Sequence, residues 1–260
     1  MRHHSSKGSA PLLKCNKNAL QFRVWRVSMG YRMITFDDQT RILREKLVTM
    51  AALAEGAVQG AIKALVNRDD GLASTAREED KAIDELEIEI DDLAVGLLTQ
   101  GRSANDVRLI TVVMKIARNL ERVGDEATTI SRRAFDLNQD PQLNPEVDIP
   151  ERANIALKML REALQAFISG DQARARAVIP RDKEMDALNK QLQRELTQQI
   201  MEAPSTTPRC LNLMVISKSL ERIADHATNI AEDVVYLYEG RDIRHTGRGK
   251  ARPVEVYPAR

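Results

Sequence analysis

From Phe36 onwards, apolar residues recur at alternating steps of three and four, the spacing of amphipathic α-helices that pack along a narrow seam. Two ladders of this kind run from Ile83 to Leu97 and from Val113 to Ala127. The longest ladder has eight apolar positions, which are Leu213, Ile216, Leu220, Ile223, Ala227, Ile230, Val234 and Leu237. No segment alternates strictly between apolar and polar residues as a half-buried strand does. The pattern predicts an all-α protein.

Polar segments that contain glycine or proline divide this pattern into six helices. The breaks fall at residues 67–71, 99–106, 140–150, 169–171 and 203–208. We therefore expect helices over residues 37–66, 70–99, 105–138, 151–169, 171–202 and 208–239. Because the connections are short, consecutive helices should be antiparallel neighbours.

The two halves of the chain resemble each other. The segment 80–84 aligns with 182–186, and Leu120–Asp125 aligns with Leu220–Asp225. Each half therefore predicts one three-helix unit, and the whole chain predicts a tandem repeat of two antiparallel three-helix bundles. The expected domain organisation is a basic extension (1–32), a first unit (33–140), a proline-containing linker (141–150), a second unit (151–240) and a basic tail (241–260).

Composition supports helices and narrows the chemistry. Aromatic residues make up only 3% of the 260 residues, so the core must consist of Ala, Leu, Ile, Val and Met, which disfavours a β-sandwich or barrel. Cys15 and Cys210 are the only cysteines, which excludes a disulfide framework and a cysteine-rich zinc site. Without an uninterrupted apolar run of about 18 residues, the chain is expected to be water-soluble.

Charge is distributed unevenly along the chain. Residues 1–36 carry seven Lys or Arg and no acid, whereas residues 37–239 hold 26 basic and 36 acidic residues. An acidic body repels phosphate backbones and attracts cations, which argues against a nucleic-acid partner. The first 32 residues are interpreted either as a targeting segment or as an upstream extension of a reading frame that starts at Met29 or Met33.

Acidic pairs spaced four residues apart carry the candidate chemistry. Each half has two of them, and the eight predicted metal ligands are Asp80, Asp84, Glu121, Asp125, Asp182, Asp186, Glu221 and Asp225. Positions four apart share one helix face, so two pairs on neighbouring helices predict an oxygen-rich cluster. Such a cluster suits hard cations, or iron and manganese held mainly by carboxylates; zinc is less favoured because its His and Cys ligands are missing.

An ordinary charged surface is the alternative for each motif. Arg118, Arg122, Lys218 and Arg222 lie three or four residues from the acids and are suitable ion-pair partners. Recurrence of the same acids in both halves favours ion binding. His226 is interpreted as a surface or hydrogen-bonded histidine rather than as a ligand.

The segments Leu120–Asp125 and Leu220–Glu232, together with Glu239–His245, resemble the signature of the PhoU family of phosphate-transport accessory and regulatory proteins. The resemblance extends from residue 33 to about residue 245. Ala224 departs from it, because the family often has glycine there. The resemblance implies an all-α protein, usually a homodimer, on the cytoplasmic side of a phosphate ABC transporter.

The resemblance also implies a function. Such proteins act as negative regulators of phosphate uptake and of the phosphate-starvation response by contacting the transporter and a sensor histidine kinase. It implies that the eight carboxylates hold multinuclear iron or another divalent metal such as Mn or Mg. No nucleophile with a base, phosphate-binding loop or pair of Glu-x-x-His motifs indicates an enzyme. The alternative is a metal-binding helical scaffold or coiled-coil interaction protein without a role in phosphate signalling.

Overall fold

The structure, a computed structural model, describes residues 35–100, 103–143 and 147–244, without the side chains of residues 73–79. Within these ranges the chain forms helices and no β-strand, which confirms the all-α prediction. The helices are α1 (Phe36–Asn67), α2 (Asp70–Leu98), α3 (Ala104–Asn138), α4 (Ile149–Ser169), α5 (Gln172–Val178), α6 (Asp182–Glu202) and α7 (Thr207–Glu239). The predicted extension, residues 1–32, and most of the predicted tail lie outside the described residues.

The predicted helix over residues 171–202 was wrong as a single element. A 3-10 turn, Ile179–Arg181, separates α5 from α6. Pro180 lies in this turn, and proline has no backbone N–H and clashes with the preceding helical turn, so a regular α-helix does not continue through it. The other five helices begin and end within two residues of the predicted limits.

Side-chain caps explain where several helices begin. Asp69 accepts hydrogen bonds from the first turn of α2, and Ser103 and Asp106 form a capping box at the start of α3. Helices α4 and α7 end at Gly170 and Gly240, whose φ angles of 70° and 66° are in the left-handed region that glycine tolerates.

The first three helices pack as one bundle, and α4 to α7 form the second. The two bundles join where α3 packs along α7 and α1 contacts α4, so the buried residues of both halves form one continuous apolar core. This arrangement matches the predicted pair of antiparallel bundles, with the middle helix of the second bundle divided in two.

Polar contacts fix the register between α3 and α7. Lys115 Nζ lies 3.1 Å from Asp233 Oδ1, and Arg222 Nη1 lies 3.0 Å from Glu126 Oε1. Because partner numbers rise on one helix as they fall on the other, the helices are antiparallel. The acidic pair 121/125 on α3 therefore lies at the level of the pair 221/225 on α7.

Candidate functional site

The first acidic cluster lies where α2 crosses close to α3. A Cβ atom added at Gly124 would lie 3.0 Å from Asp80 Oδ1. Glycine, which has no Cβ atom, therefore lets α2 and α3 come this close together. Burial raises the pKa of Asp80, and the negative charges of Asp84 and Asp125 raise it further. The polar side chain of Thr128 partly opposes this rise in the pKa of Asp80.

Glu121 and Asp125 complete this cluster from α3. The Glu121 side chain is only 13% exposed, and its Oε2 atom lies 3.3 Å from Arg122 Nε and 3.7 Å from Arg118 Nη1. Burial and the charge of Asp125 raise the pKa of Glu121, although both arginines oppose the rise. The pKa of Asp84 is also raised, by burial and then by Asp125. All four acids predicted for the first half therefore interact electrostatically with one another or with a common neighbour.

Glu87 is a fifth acid of the first cluster, and the sequence analysis missed it. It accepts a hydrogen bond from Arg118 Nη1 at 3.2 Å, and its charge helps raise the pKa of both Asp84 and Glu121. The available signal was its position three residues after Asp84, which places it on the same face of α2.

The second cluster brings together three of its four predicted acids. Burial raises the pKa of Asp225 to about 7, with further contributions from a hydrogen bond with Asp182 and from the charges of Asp182 and Glu221. A hydrogen bond between two carboxyl groups requires a proton on one of them, and the raised pKa of Asp225 keeps such a proton available up to about pH 7. Lys218 Nζ lies 2.7 Å from Glu221 Oε1 and opposes the rise.

Asp186, the fourth predicted acid, pairs with a lysine. Its carboxylate lies 3.8 Å from Lys190 Nζ, one turn along α6. Asn189 occupies the place that Glu87 has in the first half; it donates a hydrogen bond to Glu221 and accepts one from Ser217 Oγ at 2.8 Å. An amide thus replaces a carboxylate, so the second cluster carries less negative charge than the first.

His226 lies between the two clusters, at the contact of α3 with α7. Its Nδ1 atom lies 3.0 Å from Asn119 Oδ1. Burial lowers the pKa of His226, and the groups around it include Glu126, Arg122 and Arg222. This geometry is that of a hydrogen-bonded histidine at a helix interface.

The donor set of both clusters is chemically suited to a hard cation, because it consists of carboxylate oxygens. In the part of the chain that the structure describes, however, no three His, Cys, Asp or Glu side chains are grouped closely enough to hold one metal ion. Arginine and lysine side chains occupy part of the space between the acids. The metal assignment of the eight residues therefore stays a prediction.

None of the helices in the described ranges is both long and apolar enough to cross a membrane.

Comparison with known proteins identifies the family. The model of the PhoU domain matches twice, at residues 47–134 and 149–234. The phosphate-specific transport system accessory protein PhoU homolog of Pseudomonas aeruginosa is 40% identical over 215 residues, which cover 82% of this chain and 88% of that protein. The phosphate-specific transport system accessory protein PhoU of Escherichia coli K12 is 31% identical over 213 residues, which cover 82% of this chain and 88% of that protein.

Solved structures agree with this assignment. The crystal structure of PhoU from Pseudomonas aeruginosa aligns with a TM-score of 0.77 at 39% identity, covering 79% of this chain and all of that one. The phosphate transport system regulatory protein PhoU from Streptococcus pneumoniae shares the fold, with a TM-score of 0.72 at 24% identity over 80% of this chain and 99% of its own. The two matched repeats, the shared fold and the long alignments together show that the chain belongs to the PhoU family.

Proposed function

We propose that this protein is a negative regulator of phosphate uptake and of the phosphate-starvation response. It would act in the cytoplasm as a non-catalytic adaptor that contacts a phosphate ABC transporter and a sensor histidine kinase. The observation that carries the proposal is the alignment, over more than four fifths of the chain, with relatives named accessory proteins of the phosphate-specific transport system.

The geometry of the acidic clusters supports an adaptor role. Both clusters lie beside the same stretch of the α3–α7 contact, where Arg222 pairs with Glu126. Carboxylates held close enough to raise one another's pKa values create a strongly negative local field. Such a field favours a cation or a basic surface of a partner protein.

Deletion of the gene in its native host tests the regulator role. We expect the deletion strain to take up phosphate and to express phosphate-starvation genes even when phosphate is abundant, and the wild-type gene to restore repression. Labelled phosphate uptake and a starvation-promoter reporter are the measurements. Unchanged uptake and unchanged expression would eliminate the regulator role and favour the alternative of a helical scaffold without a part in phosphate signalling.

We further propose that the two clusters take up iron or another divalent metal, after local movement of the basic side chains. Elemental analysis of protein purified without chelator would compare the wild type with the double variant Glu121→Gln and Glu221→Gln. Glu45→Gln is a matched control, because Glu45 is 61% exposed and lies outside both clusters. Equal metal content in wild type and double variant would remove Glu121 and Glu221 from the ligand set.

We also propose that the protein is a homodimer, as the resemblance implies. Light scattering coupled to size-exclusion chromatography measures the mass directly. A mass near 29.2 kDa, that of one chain, at micromolar concentration would contradict this proposal.

A further inference from the structure

A cavity of about 120 Å³ lies where the two bundles and the linker meet, away from both acidic clusters. The ends of α1 and α3 and the beginnings of α4 and α7 surround it. Its walls are mostly apolar, and the side chains that form them include Leu65, Val66, Leu137, Leu143, Ile149 and Leu213. An engineered apolar cavity of about 150 Å³ binds benzene, so a cavity of about 120 Å³ suits a compact apolar group of slightly smaller size.

Two arginines also line the cavity, and neither has a carboxylate within ion-pair distance among the described residues. Arg209 Nη1 donates a hydrogen bond to the carbonyl oxygen of Pro141 at 2.8 Å. Arg68 Nη2 donates to the carbonyl oxygens of Leu137 and Asn138, at the end of α3. These backbone contacts hold both guanidinium groups in place and leave other N–H donors of each arginine for a ligand.

The backbone of Arg68 is a second unusual feature of this cavity wall. Its φ of 54° makes it the single non-glycine residue with positive φ in the described ranges. The second half of the chain has Gly170, with a φ of 70°, at the matching helix end. A left-handed arginine costs conformational energy that glycine would avoid, and such strain clusters at functional sites. The Arg68 side chain places its positive charge at the carbonyl end of α3.

The electrostatics around the cavity therefore favour an anion near Arg209. Arg68 offsets the negative end of α3, whereas Arg209 lies in the first turn of α7, the positive end of that helix. The N-cap residue of α7, Thr206, makes no side-chain capping hydrogen bond. An apolar interior beside an arginine that has no acidic partner among the described residues is complementary to an amphiphilic carboxylate.

We propose that this cavity binds a small organic carboxylate, with its apolar group among the leucines and its carboxylate on Arg209. The ligand would contact both bundles and the linker, so its binding would stabilise the packing of the two bundles against each other. This site is independent of the proposed phosphate-regulatory function and would remain if that function failed.

Calorimetric titration of the full chain with benzoate, using benzyl alcohol as the neutral probe, tests the proposal. We expect benzoate to bind once per chain and more tightly than benzyl alcohol. Arg209→Met should weaken benzoate about tenfold or more, because charge-assisted hydrogen bonds are lost, and should change benzyl alcohol binding by less than about twofold. Arg194→Met is the matched control and should bind both probes as the wild type does.

A second variant tests the location. Val66→Phe should abolish binding of both probes, because Val66 lines the cavity but is 55% exposed, so the larger ring is tolerated by the fold. Val48→Phe, at an exposed position on the same helix, should bind normally. In the wild-type protein, nuclear Overhauser contacts between benzoate protons and the methyl groups of Leu137 and Leu213 would locate the bound ligand directly. Absence of benzoate binding, or binding that Val66→Phe and Arg209→Met leave unchanged, would overturn the proposal.

Discussion

At the scale of single residues, the most unusual feature is the carboxyl pair of Asp182 and Asp225, because the pKa of Asp225 is far above that of an ordinary aspartate. The two side chains come from the start of α6 and the middle of α7, and each is partly removed from water. Burial disfavours the charged form of Asp225, and the hydrogen bond with Asp182 and its charge add to this, so the pKa of Asp225 reaches about 7. The protonation state of Asp225 therefore changes within the physiological pH range.

This pair predicts a specific dependence of stability on pH. The folded pKa of Asp225 lies above its ordinary value of 3.8, so between these values the folded chain binds more protons than the unfolded chain. The free energy of unfolding should therefore fall as the pH rises from about 4 to about 7. Asp225→Asn should remove this loss. Between acidic and mildly alkaline pH, the free energy of unfolding of the variant should rise by roughly 1 kcal/mol relative to that of the wild type. This is less than the full pKa shift would give, because the site is partly exposed to water.

Urea unfolding at several pH values, with chelator present, measures this effect. Asp186→Asn is the control, since its carboxylate pairs with Lys190 rather than with another acid. Parallel pH curves for wild type and Asp225→Asn would show that Asp182 and Asp225 do not share a proton.

At the scale of helices, glycine decides how closely α2 approaches α3. A Cβ atom at position 124 would lie 3.0 Å from Asp80 Oδ1 and 3.1 Å from Ile83 Cδ1. Ile83 is fully buried and cannot move aside without disturbing the core. The first acidic cluster depends on this close contact.

Gly124→Ala should therefore destabilise the fold by about 1 kcal/mol, because overpacking outweighs the better helix propensity of alanine. Gly96→Ala is the matched control, since a Cβ atom at Gly96 has no neighbour within 4 Å. That control should be stabilised by about 0.5 to 1 kcal/mol. Thermal unfolding followed by circular dichroism measures both. A stabilised Gly124→Ala would show that α2 and α3 separate easily.

The contact between α3 and α7 contains an ion pair whose carboxylate is buried and whose ammonium group is partly exposed. Asp233 is 6% exposed, and Lys115 is its partner at 3.1 Å. Burial raises the pKa of Asp233, and Lys115 opposes the rise. Tyr236 packs beside this pair, with the Lys115 Nζ atom 5.1 Å from the centre of its ring.

Lys115→Met should cost about 2 to 3 kcal/mol, because it leaves a buried carboxylate without its counter-ion. The double variant Lys115→Met with Asp233→Asn should recover part of that loss, since the unpaired charge is gone. Denaturant unfolding of the two single variants and the double variant gives the coupling energy. Additive effects would indicate that the pair does not interact.

At the scale of the whole molecule, the two bundles share one core. The continuous cluster of buried residues includes Met50 of α1, Leu120 of α3, Leu160 of α4 and Leu220 of α7. The sequence repeat alone suggests two units that could fold separately, whereas the shared core removes that independence.

We expect a single cooperative unfolding transition because the halves share apolar contacts along α3 and α7. Fluorescence and circular dichroism should give coincident transitions in urea. A tryptophan placed at Phe167 would report on the second half, since Phe167 is buried there and the sequence's only tryptophan, Trp25, lies outside the described residues. Two separate transitions would show that the bundles unfold independently.

Most of the helices could be predicted from the sequence, because apolar periodicity and breaks by glycine, proline and capping residues are local properties. The division at Pro180 was not predicted, although a proline within a helical pattern is itself a local signal for a break. Glu87 was not predicted because it lies three residues after Asp84, outside the four-residue spacing of the predicted pairs.

The candidate site could be predicted only in part. Spacing placed Asp182 and Asp186 on one face of α6, yet the structure joins Asp182 to Asp225 and leaves Asp186 with Lys190. Spacing defines a face of a helix, but the angle and distance of the neighbouring helix decide which side chains on that face meet. The metal itself stays a prediction at all eight residues.

The sequence by itself determined the helical class, the twofold repeat and the acids repeated in both halves, because each depends on residues close together in the chain. Only the tertiary structure decided that α3 packs antiparallel along α7, which acids meet, and that a cavity forms where Arg68 and Arg209 approach the linker. Those features depend on contacts between residues far apart in sequence, and periodicity within one helix carries no information about them.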